Sequence, residues 1–170
     1  MIQILDDLGR TTSTYFWADL PDDEIYGWLD EEDNPAEVIF QPGDGLWIFS
    51  ADPSFKIQSA GQVPTTDIAV VLRENFKMVV NNTPVAVDIQ DIVVSGYEGE
   101  TAGDVMIQVL DTLGRTTATY FWCDLPEDEI YGWLDEQDNP AEVEITAGEA
   151  MWVFAPNSDY VITIPGVSVK

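Results

Sequence analysis

Residues 15–38 read YFWADLPDDEIYGWLDEEDNPAEV, and residues 120–143 read YFWCDLPEDEIYGWLDEQDNPAEV. Of these 24 positions 21 are identical, the exceptions being Ala18/Cys123, Asp22/Glu127 and Glu32/Gln137. The stretch is built from short aromatic and β-branched runs, YFW and EIYGWL, separated by Leu-Pro-acid and acid-Asn-Pro turns. Such runs fit a pleated, half-buried surface, and the Pro, Asn and Asp clusters between them are turn formers. Side chains at i and i+2 of a strand share a face. Tyr15 therefore sits with Trp17, and Tyr26 with Trp28, while Phe16 points away. Tyr120 with Trp122 and Tyr131 with Trp133 repeat the arrangement.

The identity extends outward unevenly. An offset of 105 matches 32 of 38 positions between residues 1–38 and 106–143, but only five of 25 between 39–63 and 144–168. Those five are Gly43/Gly148, Trp47/Trp152, Phe49/Phe154, Ile57/Ile162 and Gly61/Gly166. The diverged part keeps only an apolar pattern, GLWIF against AMWVF, as a fold alone requires. The matched part also keeps its turn and acid residues. A functional face shared by both copies accounts for that, and so does recent recombination over that half. Residues 64–105 have no counterpart ahead of residue 1. The reading is a first lobe at 1–63 that lacks its head and a complete second module at 64–170, with 64–105 bridging or completing the lobes. A β-unit without its head leaves apolar surface or a strand edge open, and a neighbouring subunit can fill such an edge by strand addition.

The rest of the chain continues the strand pattern through AEVIF, GLWIFS, FKIQS, DIAVVL, NFKMVV, TPVAVDI, DIVVSG, AMWVF and YVITI, with PGDG at 42–45 read as a turn. No segment holds a period of 3.6 over eleven residues. The expectation is an all-β, two-lobed internal repeat of β-sandwich or barrel-like modules, with about 14 strands and little helix.

Composition narrows the function classes. Thirty-two Asp and Glu stand against six Lys and Arg, for a net charge of −26. That field repels phosphate backbones and anionic lipid, so nucleic acid is a poor partner. It leaves divalent cations, basic proteins and neutral sugars open. The 45% apolar content is that of a globular protein rather than an acidic tail. Histidine is absent, which removes the commonest general base and transition-metal ligand. The single cysteine, Cys123, is Ala18 in the other copy and reads as a small buried hydrophobe. No apolar run approaches the roughly 20 residues of a membrane span, so no membrane insertion is expected. MIQILDDLGR carries no signal-peptide pattern.

The opening LRENFKMVVNNTPVAVDIQDI, with Asn75, Met78, Val79, Asn81 and Pro84, and the later strand with Pro42, Gly43, Gly45, Trp47 and Ile48, carry a resemblance. They resemble a small β-rich module found in tandem in bacterial surface and secreted proteins, with an Asn-x-x-Met-Val-x-Asn-x-x-Pro opening and a Pro-Gly-x-Gly-x-Trp-Val strand. The second copy departs from it, with Ala147 and Ala150 in place of the Pro and one Gly, and Glu74 stands where the opening has its first Gly. The resemblance implies an extracellular or surface-displayed, non-catalytic module. It brings no catalytic residues.

Three constellations merit weighing. Asp30, Glu32 and Asn34, matched by Asp135, Gln137 and Asn139, place oxygen ligands at alternate positions as a calcium loop does. They lack the Gly and the distal Glu of an EF-hand, and Asn-Pro after acids is also ordinary turn chemistry. Calcium is the one cofactor the pattern suggests. The acids Asp19, Asp22, Asp23 and Glu24, with Asp124, Glu127, Asp128 and Glu129, form charged loops beside a Pro. The aromatics Tyr15, Trp17, Tyr26, Trp28, Tyr120, Trp122, Tyr131 and Trp133 form either a core or an exposed platform for assembly or sugar binding. No Ser-His-Asp, Cys-His, P-loop or dinucleotide motif is present. The sequence therefore predicts no enzyme. It predicts a self-associating building block of a surface layer, appendage, filament or virion exterior. The alternative is a carbohydrate-binding or calcium-dependent adhesion module with two similar sites.

Overall fold

The computed structural model describes residues 1–6, 10–39, 46–52, 54, 63–72, 74–111, 113–157 and 159–167. The protein is all-β. Its described residues form fourteen strands and three single-turn 3₁₀ segments. The first lobe holds β1 (Ile2–Leu5), β2 (Thr11–Leu20), β3 (Ile25–Leu29) and β4 (Leu46–Ile48). They make one antiparallel sheet in the order β3-β2-β1-β4.

The second module holds β5 (Ile68–Val71), β6 (Asn75–Val80), β7 (Val87–Asp88), β8 (Val93–Ser95), β9 (Thr101–Leu110), β10 (Thr116–Leu125), β11 (Ile130–Leu134), β12 (Glu144–Ile145), β13 (Ala150–Ala155) and β14 (Val161–Ile164). Its main sheet runs β11-β10-β9-β13-β6. Three strands, β5-β14-β8, make a second sheet, and β7 pairs with β12. Val105, Ile107, Val109, Met151 and Val153 of the main sheet and Val70, Val94, Ile162 and Ile164 of the second sheet are buried in one core. Alternate residues of β13 and β14 point into it, as the pleat requires.

The four strands of the first lobe and β11, β10, β9 and β13 share one register. Ile2 faces Tyr15 and Ile48, and Ile107 faces Tyr120 and Val153. Trp17 faces Trp28 as Trp122 faces Trp133. The turns agree as well. Pro21–Asp23 and Pro126–Asp128 each form a 3₁₀ turn closed by a left-handed glutamate, Glu24 or Glu129. Arg10 pairs with Asp6 and Arg115 with Asp111, each at 2.6 Å, so the LGR turns neutralise an acid.

The expected strand AEVIF at 36–40 is not one: 36–39 carry no strand and Ile39 is 82% exposed. The matching segment forms β12 because Glu144 and Ile145 pair with Asp88 and Val87. No described residue of the first lobe plays the part of β7. The expected strand FKIQS at 55–59 and the turn PGDG at 42–45 lie outside the described residues.

The opening motif has a packing role. Asn81 is fully buried, and its amide donates to the carbonyls of Val85, Ile145 and Thr146 while its oxygen accepts from Thr83. A short polar side chain thus satisfies the backbone of a buried turn, as buried polar groups require.

Candidate functional site: one aromatic face, covered once and open once

The sheet face bearing the tryptophans is the same in both lobes up to the point of what lies on it. In each lobe the two indoles meet edge-to-face. Trp17 and Trp28 stand with ring centroids 5.4 Å apart at 70°, Trp122 and Trp133 5.4 Å apart at 67°. A tyrosine closes the cluster, Tyr26 at 5.0 Å from Trp17 and Tyr131 at 5.0 Å from Trp122. Edge-to-face packing is the arrangement that the ring quadrupoles favour.

In the second module this face is core, covered by residues 87–97. Asp88 accepts from the backbone N–H of Gln90 and starts the 3₁₀ turn Ile89–Asp91. That turn aims the Gln90 side chain at the sheet. Its amide donates to the carbonyls of Trp133 (2.8 Å) and Ala141 (3.0 Å), and its oxygen accepts from Trp133 N–H (3.0 Å). Ile89 N–H donates to the Val143 carbonyl, and Trp133 Nε1 donates to the Ile92 carbonyl at 2.7 Å. Tyr97 accepts from Trp122 Nε1 and donates to Asp124 at 2.7 Å. Trp122 and Trp133 are fully buried.

Of the two readings the sequence left open, core or exposed platform, the second module's indoles take the core. Trp122 and Trp133 cannot meet a partner, because residues 87–97 lie over them. Tyr120 is half-buried against the core, and only Tyr131 of that set is exposed.

In the first lobe the tryptophan end of the same face is open, while Ile2, between Tyr15 and Ile48, is buried. Trp17 is 37% exposed, Tyr26 76% and Ile48 51%, where Val153, in the place of Ile48, is buried. Tyr15 and Trp28 are half-buried. Gly27 and Gly132 make the contrast sharp. A Cβ on Gly132 would run into the Gln90 amide, whereas one on Gly27 would meet nothing within 4 Å. No described residue accepts from the indole N–H of Trp17 or Trp28.

The carboxylates do other work. Asp30 accepts from the backbone N–H groups of Glu32 and Asn34, and from the Asn34 amide. Asp135 does the same with Gln137 and Asn139. The N–H of Asn34 and of Asn139 is the main reason these two carboxyls sit below their usual range. Asn34 and Asn139 turn their amide N–H groups, not their oxygens, toward the acid, and Glu32 and Gln137 are exposed. Among the described residues no group of three or more acids or Cys is placed to hold a metal ion. These loops are Asx-type turns. Cys123 is buried, and burial raises its thiol above the usual range, as expected of a packing residue.

Tyr97 gives the covered face a pH dependence. Burial pushes its hydroxyl up to about 12. The folded state thus favours the protonated phenol. Its contribution is complete below the ordinary tyrosine pKa near 10 and is lost as pH rises through about 12. Tyr97→Phe should lower stability by about 1–2 kcal/mol at pH 7, through the lost bonds to Trp122 and Asp124. It should also flatten the fall in stability between those two pH values. Urea unfolding at pH 7, 9 and 11 reads both effects.

The sequence singled out the tryptophans but missed Gln90 and Tyr97. Gln90 lies within DIQDIVV, where polar residues read as the solvent side of a strand. The only local clue is the Asp88-x-Gln90 spacing that starts a turn. No protein-family model, no curated protein and no solved structure matches the chain.

Proposed function

We propose that the protein is a non-catalytic structural β-protein that works by presenting surface, as a building block of a surface layer, appendage, filament or virion exterior. The observation that supports this is the open face of the first lobe. It offers a pair of indoles of the same geometry as a pair that is fully buried in the second module. An exposed apolar patch of that kind is the usual mark of an interaction surface. The net charge of −26 opposes close approach of copies, so salt or a divalent cation should favour assembly by screening. The test is the state of assembly by light scattering and negative-stain microscopy at rising concentration, with and without Ca²⁺ and high salt. Ordered rings, sheets or filaments support the reading. Monomers throughout, at high concentration in both calcium and high salt, defeat it.

A second reading is a carbohydrate-binding module on the first lobe. Trp17 and Tyr26 present ring surface to solvent, and Asp19 follows on the same strand. Ring faces take the C–H patch of a sugar, and carboxylates accept from its hydroxyls. Titration of tryptophan fluorescence against a glycan panel checks it, and no spectral change with any glycan removes it. Calcium-dependent adhesion is a third reading. It requires millimolar Ca²⁺ to raise the melting temperature.

A further inference from the structure

We infer that the open face of the first lobe is a docking site for a polypeptide segment with the chemistry of residues 85–97, VAVDIQDIVVSGY. This deepens the assembly reading and rests on it, because it names what that surface would take. In the second module the segment makes five kinds of contact with the sheet. A strand pair joins Val87–Asp88 to Glu144–Ile145, and Ile89 N–H bonds the Val143 carbonyl. The Gln90 side chain clamps Trp133 and Ala141. The Ile92 carbonyl takes the Trp133 indole, and Tyr97 bridges Trp122 and Asp124.

The first lobe presents the receiving half of four of these contacts, all but the strand pair. Trp28 stands for Trp133, Ala36 for Ala141, Val38 for Val143, Trp17 for Trp122 and Asp19 for Asp124. The backbone that offers them is set in the same way. Ala36 N–H donates to Trp28 C=O at 2.8 Å, as Ala141 N–H does to Trp133 C=O. Trp17, Trp28 and Tyr26 already hold the packing seen in the covered lobe. The tryptophan end of the face is therefore already set to accept the segment, and preorganisation of this kind favours binding. Space is present as well, since the room filled by Gln90 beside Gly132 is empty beside Gly27. Residues 1–170 contain two such faces and one 85–97 segment, and the second module already uses it. Strand and turn donation across chains is an established way for one β-module to complete another.

The test is a fluorescein-labelled peptide of residues 84–98 titrated against the full chain by fluorescence anisotropy. Indole N–H signals are followed by NMR in parallel. The expected result is saturable binding at one site per chain, with shifts at Trp17 and Trp28. Either Trp28→Ala in the protein or alanine at the Gln90 position of the peptide should weaken binding at least about tenfold, the equivalent of one well-made buried hydrogen-bonded contact. Trp28 is half-buried, so its removal should leave the fold intact, and circular dichroism checks this. No binding overturns the inference. So does binding that Trp28→Ala leaves unchanged, because the peptide would then be entering elsewhere, for example by displacing the resident segment of the second module. If the peptide fails to bind while the chain still assembles, the inference falls and the assembly reading stands. If it binds while the chain stays monomeric in every condition, the inference stands and self-assembly falls.

Discussion

Trp133→Ala should destabilise the protein by about 3–5 kcal/mol, while the same substitution at Trp28 should cost about 1 kcal/mol or less. The two residues occupy the same place in the same repeated sentence and pack on the same kind of neighbour at the same angle. What differs is the covering layer. Trp133 is fully buried, and its indole N–H is bonded to the Ile92 carbonyl. Its removal leaves a large cavity between two sheets and orphans that carbonyl. Trp28 is half-buried beside open space. Much of its ring is already in water, so truncation removes less buried surface and opens no closed cavity. Urea unfolding of the two variants, followed by far-ultraviolet circular dichroism, reads the difference. Equal costs at both sites would mean that the first lobe is covered in solution as thoroughly as the second.

Gln90→Ala should cost about 2–4 kcal/mol, a large effect for a polar residue outside the regular strands. Three hydrogen bonds are lost together: from the amide to Trp133 C=O and Ala141 C=O, and from Trp133 N–H to the side-chain oxygen. Trp133 C=O keeps the bond from Ala141 N–H, but Trp133 N–H is left facing a void. Gln90→Glu is the sharper companion. It keeps the oxygen that accepts from Trp133 N–H. It puts a second acceptor against two carbonyls, so it should be at least as damaging as alanine near neutral pH. Acidification should recover part of the loss, since a protonated carboxyl can donate once. Thermal unfolding of wild type, Gln90→Ala and Gln90→Glu at pH 4 and pH 7 separates these outcomes.

The sheet architecture was legible in the sequence because alternation and turn chemistry are local. YFWAD and EIYGWLD are strand-like wherever they stand, and Leu-Pro-acid turns form without help from the rest of the chain. All-β class and scarcity of helix followed from that. Which face is core was not legible, because burial is decided by what lies across the sheet. The same words, Tyr-Phe-Trp and Ile-Tyr-Gly-Trp, are interior in one lobe and half-exposed in the other. AEVIF illustrates the same limit. Its strand pattern is sound, yet a two-residue strand needs a partner, and only the second module supplies Val87–Asp88. The acid loops show a related limit. Alternate oxygens suit a cation in sequence, and in the fold Asp30 and Asp135 also accept from the N–H groups of their own turns. Gln90 escaped notice because its partners are 43 and 51 residues away.

The central claim is that one aromatic face is written twice and covered once. Solvent exchange of the indole N–H protons in the dilute monomer tests it most directly. The account predicts slow exchange at Trp133, bonded to Ile92, and at Trp122, bonded to Tyr97, with fast exchange at Trp17 and Trp28. Equal protection at all four positions in a sample shown to be monomeric would contradict it.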